Sequence, residues 1–255
     1  MAGSRLAGKV AIVTGAGSRA EGIGNGRRRR RLFAREGARV SAWTGAGAAA
    51  EATRAMIAAE GGEAAVLRGG RHAERGLSRH GGRGRCAAGA AWTCSTTMNG
   101  HRGPRHRGGG GRGGLGSPDE SERDQHDADL KHAIPAMARG GGGSIINISS
   151  ISALRPRGSP VHRLQGRGDR AHRAMAVDHA AQGVRVNCIA PGPVYTPMVF
   201  GDGMTAELQE RRREASPLGI EGTGWDIGNA ALFLASDEAR LHHGGWCCRW
   251  TEASR

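Results

Sequence analysis

Aromatic residues are scarce in this 255-residue sequence, at 4%, and Tyr195 is the single tyrosine. Hydrophobic residues reach 38%, low for a compact α/β domain. No run approaches the ~18 apolar residues needed to span a bilayer, which argues against a membrane protein. Met1 to Val10 contain no apolar core of signal-peptide length, so a soluble cytoplasmic protein is expected. Five cysteines, an odd number without a secretory signal, argue against a disulfide framework. Cys86, Cys94, Cys247 and Cys248 lie among histidines, but their spacing forms no paired C-x-x-C site, and no metal is expected.

Glycine and positive charge are plentiful instead. Gly 45 far exceeds ordinary usage without a collagen period, and the formal charge is +14. The charge is uneven. Residues 173–240 hold 6 Arg against 9 Asp or Glu, whereas residues 69–116 hold 9 Arg, 16 Gly and one acid, Glu74. A local excess argues against a uniformly nucleic-acid-binding protein. The length corresponds to a single domain over 1–255.

Regular structure is legible in blocks. Gly8-Lys9-Val10-Ala11-Ile12-Val13-Thr14-Gly15 is a short β-branched run meeting a tight turn, and predicts a buried strand. Leu32 to Glu36 ends a helix, with Gly37 just past it. A second strand begins at Ala38, an Ala-rich helix runs from Ala46 to Glu60, and Ala64 to Arg68 is a third strand. Strand and helix in alternation predict a parallel α/β sheet. Residues 69–116 show neither period. Order returns with a helix over Leu130–Ala138, a strand over Ser144–Ser150, and a helix over Ala174–Ala181. Val184–Ile189 is a further strand, Pro191-Gly192-Pro193 a loop, and Asp226–Ser236 a helix. From Leu241 the pattern is lost.

Thr14-Gly15, followed by Gly22-Ile23-Gly24 at the opening of a helix, has the physics of a dinucleotide turn. Glycines admit the backbone close to a pyrophosphate, whose charge rests on the helix N-terminus. Asn147-Ile148-Ser149-Ser150 closes a strand, and Asn187-Cys188-Ile189-Ala190-Pro191-Gly192 follows about forty residues later. With Lys9 to Gly17, these three motifs in order resemble the short-chain dehydrogenase/reductase family. The resemblance implies a Rossmann-type, doubly wound parallel sheet and an NAD cofactor, with NADP as the alternative. It also implies a small-molecule substrate and a homo-oligomer. Gly15, Gly22, Ile23 and Gly24 match its cofactor turn, with Arg19-Ala20-Glu21 inserted. Ser150 matches the serine that hydrogen-bonds the reacting oxygen. Pro191, Gly192 and Thr196 match the loop on the nicotinamide end.

One departure is decisive. The family has a catalytic tyrosine about a dozen residues after that serine and a lysine four further on. Here the places read Pro160-Val161-His162-Arg163-Leu164-Gln165-Gly166. As written, His162 is the candidate acid-base beside Ser150, since imidazole titrates near neutrality, but no lysine accompanies it. With GC-rich codons chosen to fit, reading Pro160 to His172 one base later gives Pro-Tyr-Thr-Ala-Ser-Lys-Gly-Ala-Val-Ile-Ala-Leu. The tyrosine codon straddles Val161 and His162, and the lysine codon straddles Gln165 and Gly166. Other segments respond alike. Trp43-Thr44-Gly45 shifts to Val-Asp-Arg and Gly69–Ala73 to Ala-Asp-Val-Thr. Trp92–Thr97 shifts to Asp-Val-Leu-His-Asn-Asn, and Trp246–Glu252 to Val-Leu-Pro-Val-Asp-Gly. The hidden aspartate after the second strand favours NAD over NADP, and Arg19 is the residue that speaks for NADP.

Two basic segments have alternative readings. Arg27–Arg31 sit where the first helix should bury an apolar face, so a shifted Ala-rich helix is the better reading than a phosphate patch. Gly103 to Gly114 resembles an RGG-type RNA-binding tract, but no Phe or Tyr interleaves it for stacking. The alternative to an enzyme is a non-catalytic, frame-damaged chain with RNA or anion affinity through this tract. After Thr196, Pro197-Met198-Val199-Phe200 to Arg213 is apolar and then charged, as in a lid over a modest apolar substrate.

Overall fold

The computed structural model describes residues 3–14, 25–44, 47–68, 92–97, 130, 133–151, 172–200 and 203–247. Its strands are β1 Val10–Thr14, β2 Arg39–Thr44, β3 Ala64–Arg68, β4 Trp92–Thr97, β5 Gly143–Ile148 and β6 Val184–Ile189. Two short strands, β7 Val194–Tyr195 and β8 Gly222–Thr223, pair with each other, and β9 is Trp246–Cys247. The helices are α1 Asn25–Arg35, α2 Gly47–Ala59, α3 over 133–139, α4 over 172–179, α5 Pro197–Phe200, α6 Ala206–Glu214 and α7 Gly224–Ala235. One 7-stranded sheet runs β3-β2-β1-β4-β5-β6-β9, every pair parallel.

The strands are apolar on both faces because both faces are covered, as a parallel sheet requires. Side chains alternate between two cores. Ala11, Val13, Ile146 and Ile148 join Phe33 of α1 with Ile227 and Leu234 of α7 on one face. Ile12, Ile145, Val184 and Val186 join Met137 of α3 and Ala176 of α4 on the other. This is the parallel α/β sheet that the alternating sequence pattern predicts, in the doubly wound form that the resemblance implies.

Element limits agree with the sequence reading to within one or two residues for β1, α2, β3, β5, β6 and α7, the ordinary uncertainty of an element end. Two segments without a readable pattern are nonetheless strands. β4 lies between β1 and β5, whose edges supply its ladder, and Trp and Thr suit strands intrinsically. In the tail, Gly244 N donates to Val186 O at 2.8 Å, and β9 pairs with β6 beyond it. Neighbouring strands, not local pattern, place both.

α7 shows how local sequence sets an element. Thr223 caps it by accepting from Trp225 N, and Asp226 returns a bond to Thr223 N, a complete capping box. At its other end, Arg185 Nη2 donates to Leu234 O at 2.9 Å and Ser236 O at 3.2 Å, while Ser144 Oγ donates to Leu234 O at 2.8 Å. Last-turn carbonyls thus find donors on β5 and β6.

α1 is the anomaly. Its sequence reads NGRRRRRLFAR, yet it packs Phe33 fully into the core. Arg29 and Arg30 are 0% and 1% exposed. Burial pushes the Arg29 guanidinium down to about 10; burial, with Arg27 and Arg29 nearby, pushes Arg30 down to about 9. Arg31 and Arg35 instead reach Glu60 at the rim, and Arg28 lies 5.6 Å from the Trp225 ring centroid. Two of the five arginines are buried in the core, therefore, rather than the whole run.

Candidate functional site

In this topology the chain runs outward from β1 through β2 to β3, then returns to place β4 against β1 on the other side. Ligands of open α/β sheets sit beyond the carboxyl ends of the strands at such a switch point. β1 ends at Thr14 and α1 begins at Asn25, so a strand precedes and a helix follows the glycine-bearing residues 15–24. Gly15, Gly22, Ile23 and Gly24 themselves lie outside the described residues, as do Arg19, His162 and the Arg-Gly tract.

Ser150, Pro191, Gly192 and Thr196 are described, and backbone bonding brings the first three together. β5 and β6 continue their pairing past the last assigned strand residues. Ser149 N donates to Ile189 O at 2.8 Å, and Ile151 N donates to Pro191 O at 3.0 Å. Ser150 is thereby held between these two bonds, against the start of the Pro191-Gly192-Pro193 loop. This loop is anchored at its far end, where Gly222 N donates to Pro193 O at 2.9 Å and β7 pairs with β8. Thr196 is buried, and its carbonyl accepts from Phe200 N at 3.1 Å, starting α5. Tyr195 stacks on Phe200 with ring centroids 4.6 Å apart.

The chemistry available at this edge is polar and neutral. Asn147 and Asn187 are buried near the ends of β5 and β6. Ser149 Oγ is buried with no hydrogen-bond partner among the described residues. Sequence reasoning passed over Ser149 in favour of Ser150. The signal that would have found it is strand alternation, which turns adjacent serines to opposite sides.

A second polar cluster escaped the sequence altogether. Arg212 Nε donates to Glu221 Oε1 at 2.5 Å, and Arg212 Nη2 donates to Val194 O at 3.3 Å. No local motif links residues separated by a helix end and a loop.

The opposite, amino edge of the sheet holds a cleft of about 260 Å³ lined by Lys9, Ser144, Arg185, Asp237 and the 140–143 glycines. Lys9 Nζ there donates to Asp237 Oδ1 at 2.6 Å, and Arg5 pairs with Glu238 at 2.7 Å. These contacts tie the two ends of the chain together on the side away from Ser150. Among the described residues, no group of three or more His, Cys, Asp or Glu is placed to hold a metal ion. No described helix is long and apolar enough to cross a membrane.

Known proteins resemble this chain along most of its length. Residues 128–247 match the model of the enoyl-(acyl carrier protein) reductase family. A 2,5-dichloro-2,5-cyclohexadiene-1,4-diol dehydrogenase from Sphingobium indicum is 33% identical over 242 residues, covering 93% of this chain and 92% of that protein. A short-chain dehydrogenase/reductase structure from Burkholderia xenovorans superposes with a TM-score of 0.74 at 32% identity, over 95% of each chain. A 7α-hydroxysteroid dehydrogenase complexed with NADH and 7-oxo glycochenodeoxycholic acid gives a TM-score of 0.73 at 27% identity, over 95% of this chain and 92% of that one.

Proposed function

The chain belongs to the short-chain dehydrogenase/reductase family of NAD(P)-dependent oxidoreductases, and we propose that it moves a hydride between the nicotinamide and a carbonyl or secondary alcohol. The observation that carries this reading is the bonding of Ser149 and Ile151 to Ile189 and Pro191. It sets Ser150 against the loop that the family lays on the nicotinamide. Gly15, Gly22, Ile23 and Gly24 are the candidates to hold the pyrophosphate, and Pro191, Gly192 and Thr196 the nicotinamide end. The bound dinucleotide supplies the hydride chemistry; the chain supplies position and protons.

Ser150 Oγ donates to the substrate oxygen and stabilises the negative charge that grows there during reduction. A proton must then reach that oxygen. In the proposal it comes from the tyrosine encoded one base out of frame across Val161 and His162, with the lysine across Gln165 and Gly166 lowering the tyrosine's pKa. The chain as written offers His162 in that place without a cation beside it. The buried Arg29 and Arg30 support the frame reading from an independent segment, since a buried helix face is expected to carry apolar residues there.

We place the whole of 1–255 in one catalytic domain and take NAD over NADP from the hidden aspartate after β2. A modest apolar substrate follows from the apolar, then charged stretch over Pro197 to Arg213, and a homo-oligomer from resemblance. The test compares two full-length proteins, the chain as written and one carrying Tyr-Thr-Ala-Ser-Lys in place of residues 162–166. Each is assayed with NAD and NADP against a panel of secondary alcohols. Turnover confined to the second supports the reading; equal turnover by both, or none by either, contradicts it. Tight nucleic-acid binding with a steep salt dependence would favour the non-catalytic alternative.

A further inference from the structure

Helix α6 buries none of its residues, and its sequence, AELQERRRE, has no apolar stripe. Apolar packing therefore does not fix it. Among the described residues, two arginines on its last turn reach the rest of the molecule. Arg213 Nε donates to Gly219 O at 3.3 Å at an exposed position. Arg212 is better enclosed, and its planar guanidinium makes two bonds in different directions. One goes to Glu221 Oε1 at 2.5 Å, whose side chain is 5% exposed; the other goes to Val194 O at 3.3 Å. Glu221 Oε2 is buried with no hydrogen-bond partner among the described residues. That carboxylate depends on Arg212 for compensation.

Val194 begins β7, directly after Pro191-Gly192-Pro193, and β7 pairs with β8, which directly follows Glu221. Arg212 therefore joins three chain segments at one point: the end of α6, the entry to β8 and the loop carrying Gly192 and Thr196. We infer that Arg212 is a positioning residue for the cofactor loop. It holds α6 and the 191–196 segment in one register through Glu221 and the Val194 carbonyl. The inference rests on the proposed function, in which 191–196 contacts the nicotinamide end. Lysine cannot reproduce it, because a point ammonium lacks the fork that reaches a carboxylate and a carbonyl together.

The test uses the full chain and the variants Arg212→Lys, Arg212→Met and Arg212→Met with Glu221→Gln. Amide exchange over 194–214 and the affinity for NADH are measured for each. Arg212→Met is expected to speed exchange over 206–214 by about tenfold, without a comparable rise in β5 or β6. NADH affinity is expected to fall by about fivefold, the lower end of ordinary coupling between sites. Arg212→Lys should recover less than half of either effect. Adding Glu221→Gln to Arg212→Met should restore global stability, by removing the uncompensated carboxylate, but not NADH affinity. Unchanged exchange over 206–214 in Arg212→Met overturns the brace. Faster exchange with unchanged NADH affinity overturns its coupling to the cofactor loop while leaving the family assignment intact. Failure of the parent chain to bind NADH overturns both the coupling and the cofactor reading on which it rests.

Discussion

Arg29 and Arg30 occupy positions where the packing of α1 against the sheet and α7 calls for apolar side chains. Replacing a buried charge by an apolar residue of similar volume is often stabilising. Arg29→Leu with Arg30→Leu should therefore raise unfolding stability by about 1–4 kcal/mol, read from urea midpoints. The pH dependence follows from the sign of the shifts. Both guanidiniums are depressed in the folded state, to about 10 and about 9. The unfolded chain thus binds more protons between those values and the ordinary guanidinium range, and stability relative to the Leu variant rises with pH there. Below about 9 the full penalty is present, so the variant's advantage should be constant from pH 6 to 8 and shrink above 9. A constant advantage up to pH 11 would contradict the burial. Ser150→Ala, made in the chain carrying the Tyr and Lys, should cut kcat by about a hundredfold with dinucleotide affinity unchanged, as expected for one lost oxyanion donor. At this scale the sequence offers Ser150, Pro191, Gly192 and Thr196 where motifs survive, and backbone bonding places Ser150 beside Pro191. Arg212 and Glu221 were not, because their pairing exists only after the chain has turned back on itself.

Elements follow the same division. β1, β5 and β6 were legible because continuous β-branched runs bounded by turn residues have few alternatives. α7 was legible as Asp226–Ser236, and its cap, Thr223 with Asp226, emerges only in the structure. Thr223→Ala should cost about 1 kcal/mol in urea unfolding, since it removes the side-chain acceptor of the capping box while the Thr223 N–Asp226 bond stays. Gly142 has φ +128°, and a Cβ there would stand 2.5 Å from Gly183 O. Gly142→Ala should therefore destabilise the start of β5 by more than the cap mutation, because backbone at both ends of the clash must shift. Thermal melts of the two variants side by side would show the order. β4 and β9 were illegible for a physical reason. Their residues lack alternation, and their strand state is imposed by the hydrogen-bonding edges of β1, β5 and β6.

For the whole molecule, the two layers of helices and the strand order form a doubly wound α/β fold, and similarity to known dehydrogenases runs nearly end to end. Similarity at that length is hard to reconcile with a chain that lost its catalytic helix by selection for another role. A chain whose frame slips and recovers keeps its length and its outer motifs while exchanging local residues for Arg, Gly, His and Trp. Four of the five tryptophans and three of the five cysteines fall in the segments that the shifted reading restores. The most direct measurement is therefore the sequence of the coding DNA, end to end, with codons 158–173 read on both strands. The account predicts single-base insertions and deletions around that stretch, whose removal yields Tyr-Thr-Ala-Ser-Lys. DNA that encodes Val161 to Gly166 as written, in a protein that still turns over NAD, would contradict it.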